Sequence, residues 1–185
     1  MGRASLAVAA TVAACISTAC GDDASSSEPT RATQEGTMNL IVASAAFEDG
    51  ETVPQQYTCD GADVSPPLEV SGVPSEASEL ALIMEDPDAP GGTFVHWVLW
   101  GIGASVTSLP EGGVPDGAVH GSTDFGRNEY GGPCPPPGEP HRYIFNVYAL
   151  SGTPDVEPGA SADDLRAAFE SLVLAEGSLI GLYGR

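Results

Sequence analysis

From Met38 to the C-terminus, short apolar runs alternate with clusters of Gly, Pro, Asp and Ser. Four runs, Leu40–Phe47, Leu80–Met84, Phe94–Ile102 and Tyr143–Leu150, have strand length and are bounded by turn formers. Several are apolar on both faces, which predicts central strands of a sandwich covered by a second sheet or a helix. Strict alternation in the third run puts His96, Val98, Trp100 and Ile102 on one face, and Val95, Trp97 and Leu99 on the other. A strand that starts at His141 places that residue and Tyr143 on one face. One segment predicts a helix. Ser161 supplies the cap, Asp163 and Asp164 sit in the first turn, and Leu165, Phe169 and Leu172 form an apolar stripe. Leu179–Tyr183 predicts a last short strand. With 16 prolines and 23 glycines the chain is interrupted too often for a helical bundle.

Ahead of Met38 the pattern changes. Met1–Arg3 is a short positive start, and Ala4–Ile16 is an uncharged, alanine-rich stretch of 13 residues. Spanning a bilayer takes about 20 residues, so this stretch fits the core of an export signal instead. Ser17-Thr18-Ala19-Cys20 resembles a bacterial lipoprotein signal, in which the cysteine is acylated and becomes the mature N-terminus. It departs from the usual pattern in having Ser17 where Leu is common. Val12-Ala13-Ala14-Cys15 is a rival site, and a plain secretory signal without lipid is a third reading. Gly21–Thr37 is polar, with nothing to bury against the entropy of ordering. Such a coil reaches about 20–25 Å. The organisation expected is a signal over 1–19, a tether over 20–37 and one domain over 38–185, a size that suits a single core. The expected location is extracytoplasmic, anchored through Cys20 in the periplasm or outer membrane, with a secreted soluble form as the alternative.

Charge narrows the partners. The chain has 26 acidic residues against six arginines and no lysine, a formal charge of −20. Nucleic-acid affinity comes mainly from Lys and Arg neutralising phosphates, so that class is excluded. So is adhesion to anionic lipid by charge alone; membrane contact is left to an N-terminal lipid.

Two distant stretches carry the candidate chemistry. The first is Asp86-Pro87-Asp88-Ala89-Pro90 followed by His96-Trp97. The second is Gly132-Pro133-Cys134-Pro135-Pro136 followed by His141-Arg142-Tyr143. Each joins a proline-stiffened loop to a histidine at the mouth of an apolar run. Singly they are weak signals, since Asp-Pro-Asp is usually a turn and a lone strand histidine usually belongs to the core. Together they place two carboxylates, two imidazoles and a phenol where they could converge on one pocket. His120, in a glycine-rich loop, reads most simply as exposed.

In this order the segments resemble the phosphatidylethanolamine-binding proteins, in their bacterial, Raf kinase inhibitor-like branch. The resemblance runs from about Met38 to Arg185. It also includes Tyr57-Thr58-Cys59-Asp60-Gly61, Ser65-Pro66-Pro67-Leu68, Tyr130-Gly131, Tyr148-Ala149-Leu150 and Gly181-Leu182-Tyr183-Gly184-Arg185. One departure is Leu172, where that branch often has a histidine. The resemblance implies a mainly β fold: a β-sandwich of antiparallel sheets with one or two peripheral helices, one of them C-terminal. It implies an anion pocket lined by Asp86, Asp88, His96, Gly132, Pro133, His141 and Tyr143, with Pro90 and Phe94 as walls, and a cis bond at Ala89-Pro90. Cys59 and Cys134 lie in matching motifs. If cleavage removes Cys15 and Cys20 is lipidated, they are the two thiols left to pair in an oxidising compartment.

Imidazole, phenol and backbone N–H groups are donors suited to phosphate or carboxylate oxygens. An aspartate facing an anion would repel it, so Asp86 is expected behind a histidine, orienting it and raising its pKa, with both histidines as anion donors. The leading reading is therefore a binding module for phosphate or a phospholipid head group that modulates or inhibits a partner enzyme. The rival is a hydrolase with His141 or His96 as general base. Its weakness is the lack of a nucleophile motif, since Ser65 sits on a stiff loop without a G-x-S-x-G elbow. A zinc site of two histidines and two aspartates is disfavoured, because no close ligand pair is present. No cofactor is expected.

Overall fold

A computed structural model describes residues 38–185, so the expected signal, the Cys20 anchor and the tether lie outside the described residues. The strands in chain order are β1 (Met38–Asn39), β2 (Ile41–Ala43), β3 (Glu51–Thr52), β4 (Leu68–Ser71) and β5 (Glu79–Asp86). They continue as β6 (Phe94–Gly103), β7 (Ser108–Leu109), β8 (Val119–His120) and β9 (His141–Leu150). Helix α1 (Ala162–Phe169) and strand β10 (Val173–Tyr183) complete the fold. The larger sheet has the order β1-β10-β9-β5-β6-β8, with β3 also paired to β10, and β2, β4 and β7 form a smaller sheet. Pairing is antiparallel except where the short β1 and β3 run parallel to β10.

The doubly apolar runs are explained by two packing layers, one on each face of the larger sheet. Along β5, Leu80, Leu82 and Met84 point into the sandwich, where they meet Leu68, Val70 and Leu109 of the smaller sheet. Ala81 and Ile83 face the other way, onto Leu165 and Phe169 of α1. This helix starts as its sequence predicts, with Ser161 and Asp164 forming a reciprocal capping box. It stops at Phe169, so Leu172 meets the same cluster from the turn beyond the helix.

Strand β10 is longer than the expected Leu179–Tyr183, because Ala175–Ser178 reads locally as a turn but is paired with β9. Gly177 is there for close approach: a Cβ on it would lie 2.3 Å from the Leu40 carbonyl oxygen. Strict alternation in β6 also fails. Trp97 pairs with Met84 but Val95 with Glu85, which makes His96 an extra, bulged residue. A second shift lies between the Leu80–Ile102 and Leu82–Leu99 pairs, where Gly101 adopts a φ of +70°. Ile102 consequently joins Trp97 and Leu99 in the sandwich, while Val98 and Trp100 face the helix.

Candidate functional site

Strand order brings the two motifs together. β5 lies between β6 and β9, so the C-terminal end of β5 and the N-terminal ends of both neighbours meet at one end of the sheet. Asp86 pairs with Phe94 in β6, and Glu85 pairs with Ile144 in β9. The bulge at His96 removes that side chain from the alternation of its strand. Its ring stacks edge-on against Tyr143 from β9 at 5.1 Å.

Asp86 is only 3% exposed. Its Oδ2 lies 2.7 Å from Nδ1 of His141, and its Oδ1 accepts the Asp88 N–H at 2.8 Å, an Asx turn that shapes the loop. His96 is held differently, with Nδ1 2.7 Å from the Gly131 carbonyl oxygen. A carbonyl can only accept, so that nitrogen carries the proton. The carboxylate imposes the same tautomer on His141. In both neutral rings Nε2 is therefore a bare acceptor. Burial lowers the pKa of His96. The Tyr143 phenol is fully buried and its Oη has no hydrogen-bond partner in the protein. Burial, and then the nearby Asp86 charge, push its pKa well above the ordinary value, so it remains a donor.

The Gly132-Pro133-Cys134 loop closes the site from the side. Cys59 and Cys134 form a disulfide, with Cα atoms 5.4 Å apart, and the Cys59 N–H donates to the Pro133 carbonyl. A Cβ on Gly132 would lie 2.4 Å from the Tyr57 carbonyl oxygen, so only glycine fits there.

A family model described as phosphatidylethanolamine-binding protein matches residues 43–184. The chain belongs to this family. A UPF0098 protein of Methanothermobacter thermautotrophicus is 51% identical over 153 residues, covering 80% of this chain and 99% of that one. Among solved structures, the phosphatidylethanolamine-binding protein homolog CT736 of Chlamydia trachomatis superposes with a TM-score of 0.76 at 37% identity. That match covers 80% of this chain and 98% of CT736. LppC of Mycobacterium tuberculosis, whose name proposes a lipoprotein, is 39% identical over 145 residues, covering 78% of this chain and 72% of LppC.

Within this family frame, the structure gathers Asp86, His96, His141 and Tyr143, with Phe94 against His96 at 5.1 Å. It corrects several details of the sequence reading. Asp88 stands at the rim of the open cleft rather than in the buried cluster, and its carboxylate takes three hydrogen bonds from Arg142: from the backbone N–H at 2.9 Å, Nε at 2.8 Å and Nη2 at 2.7 Å. Ala89-Pro90 is trans, and Pro90 is exposed. The bend is made instead by the Asx turn and by Gly92, whose N–H reaches the Ala89 carbonyl. The Gly132 N–H is already bonded to Asp63 and is not offered to a ligand. His96 lacks the raised pKa expected of an anion donor, since burial outweighs its neighbours. His120 is half-buried rather than exposed. Among the described residues, no three His, Cys, Asp or Glu side chains gather as metal ligands. The open part of the site is a cleft of about 500 Å³ that His141 and Asp88 border together with the Pro136–Pro140 loop. Asp86, His96 and Tyr143 are buried, each at most 3% exposed.

Two residues important to the site are absent from the sequence reading. Phe125, 40% exposed, stacks on Phe94 at 4.9 Å and His96 at 5.2 Å, with the Arg127 guanidinium 5.2 Å from its ring centroid. A Cβ on Gly131 would sit 2.2 Å from that ring, so Gly131 leaves room for it. An aromatic residue between Asp124 and Gly126 in a polar loop was the available signal. Asp63, which fixes Gly132, has a positive φ of 56° and no local signal at all.

Proposed function

We propose that the His141 cleft binds a small phosphate- or carboxylate-bearing ligand, such as a phospholipid head group. The observation that carries this reading is the Asp86–His141 pair at 2.7 Å, which presents His141 Nε2 beside the cleft. A protonated His141 donates to an anionic oxygen, while a neutral one accepts from a P–OH or ammonium group. Arg142, which also lines the cleft, adds a second positive group beside His141. Calorimetric titration with phosphate and with phosphoethanolamine tests this reading. Saturable binding lost in His141→Ala supports it, and equal binding by wild type and variant overturns it.

The tautomers favour a second reading, hydrolysis. A carboxylate on Nδ1 with Nε2 bare is the arrangement of a general base that takes a proton from water as it attacks a phosphoryl or acyl centre. Turnover of phosphate or acyl esters that disappears in His141→Ala selects this reading over simple binding.

The domain over 38–185 is proposed to sit outside the cytoplasm behind the 20–37 tether, with lipid on Cys20. The Cys59–Cys134 bridge and the lipoprotein named among the relatives support that location. Release of the protein from membranes by Cys20→Ser is the expected result, and unchanged retention contradicts it.

A further inference from the structure

A second cleft, of about 480 Å³, shares no residue with the His141 cleft. Tyr130 lines it, next in the chain to the Gly131 whose carbonyl holds His96, and its volume is within the usual range of about 300–1,000 Å³ for small-ligand sites. Its lining includes Asp63, Trp97, Val114, His120, Arg127 and Glu129.

Trp97 is 1% exposed, and its indole Nε1 is shut from solvent without a hydrogen-bond partner. An indole N–H can only donate, so whatever meets it must accept. His120 Nδ1 is likewise buried and unpartnered, and in its Nδ1–H tautomer it too donates. Arg127 Nε is a further buried donor without a hydrogen-bond partner, and beside it stand two carboxylates, Asp63 at 3.3 Å and Glu129 at 3.4 Å from Arg127 nitrogens. Two carboxylates against one guanidinium leave the cleft with a net negative charge, on a chain whose formal charge is −20. An anion is repelled there. A ligand suited to this lining is neutral and carries groups that accept from Trp97 and His120 while donating to Asp63 and Glu129. The hydroxyl does both. We infer that this cleft binds a neutral polyol of about monosaccharide size, with Trp97 and His120 as its donors. This site stands independently of the anion reading, since the two clefts differ in position and in charge preference.

The test is a titration of the full chain, ¹⁵N-labelled, with glucose, galactose and myo-inositol, followed by the indole N–H resonances. Trp97 and Trp100 are the two tryptophans, and Trp100 is buried under the helix as an internal control. Assignment comes from Trp100→Phe. At least one polyol should shift the Trp97 resonance saturably while the Trp100 resonance stays in place. His120→Leu should weaken that binding about tenfold, the effect of losing one good hydrogen bond. Val114→Trp, which fills the cleft, should abolish it while the Trp100 resonance reports an intact fold. Inorganic phosphate should leave the Trp97 resonance unmoved. The inference is overturned if no polyol shifts Trp97 saturably by about 50 mM, a level that reaches weak millimolar sites. It is equally overturned if phosphate shifts Trp97 the same way, or if the polyol shift survives His120→Leu undiminished. Absence of phosphate binding by the wild type, with polyol binding present, would remove the anion reading and leave this one standing.

Discussion

Asp63 reaches 69 residues along the chain to accept the Gly132 N–H on its Oδ1 at 2.7 Å, while its Oδ2 takes Arg127 Nη2 at 3.3 Å. One carboxylate thus holds the loop that backs the histidine cluster, and it does so from a residue in the left-handed region of backbone space. Replacing Asp63 with Ala keeps the backbone strain and leaves the buried Gly132 N–H without its acceptor. The expected loss is about 1–3 kcal/mol of unfolding free energy, read as a lower urea midpoint. Asp63→Asn, which keeps an acceptor and tolerates positive φ, should recover most of it.

The disulfide sits on the same loop. Cys59 and Cys134 are separated by 75 residues, and in the chain-entropy account closing such a loop contributes about 4–5 kcal/mol. Reduction should lower the urea midpoint by a corresponding amount, with the larger effect on the Gly132–Pro136 loop. Amide exchange at Gly131 and Gly132 faster than at β5 after reduction is the expected pattern, and a uniform change across both segments counts against it.

Acid should act through Asp88. The Arg142 fork lowers its pKa from the ordinary 3.8 to about 2. A depressed folded-state pKa contributes stability that is complete above the unfolded value. That contribution is lost as pH falls from about 3.8 towards 2, because the unfolded chain takes up the proton first. The pair is exposed enough for solvent and salt to screen it, so its effect on stability should be small and salt-dependent. The clearer readout is the Asp88 carboxyl resonance, with a midpoint near 2 in the wild type and a return towards the ordinary value in Arg142→Ala.

His96 should act in a higher window. Burial lowers its pKa below the ordinary 6.5, so the neutral ring is the folded form. Its contribution is complete above about pH 6.5 and is lost as pH falls through the depressed folded-state value, where the unfolded chain binds the proton more readily. Unfolding free energy measured from pH 8 to 5 should fall towards acid, and His96→Gln should flatten that slope. Phe125→Ala, by opening the ring to water, should raise the His96 midpoint in an imidazole titration.

Much of the fold was legible because its periodicity is simple. The Leu80–Met84 run alternates between two cores without interruption, and Ser161 with Asp164 is a local cap whose chemistry needs no tertiary partner. The convergence of the motifs was legible through the resemblance and through the histidines at the strand mouths. What stayed hidden depends on long-range contact. The bulge at His96 exists only relative to β5, and Gly177 reads as a breaker until Leu40 is packed on it. The partner of Gly132 is an aspartate in a distant turn, so no pattern near either residue announces the other. The Asp88–Arg142 fork was missed for a different reason. Asp-Pro-Asp suggests two equivalent carboxylates, and only the structure shows one buried against His141 and the other at the cleft rim on Arg142.

Asp86 and His141 give the sharpest test of the site. The carboxylate fixes the proton on Nδ1 of His141 and leaves Nε2 bare. In the wild type, ¹⁵N shifts of the neutral ring should report the Nδ1–H form for both His141 and His96, the latter because of the Gly131 carbonyl. Asp86→Asn removes the charge and lets the amide turn its N–H₂ towards the ring, so the His141 tautomer should become mixed while His96 keeps its own. If the site binds anions, this variant should lose affinity, because the ring that donates to the anion is no longer oriented by the carboxylate. If the site hydrolyses esters, kcat should fall about 10²–10⁴-fold, the usual range for a displaced general base, with little change in KM. An unchanged His141 tautomer in Asp86→Asn would mean that the ring is oriented by other contacts, and the carboxylate would then lose its positioning role.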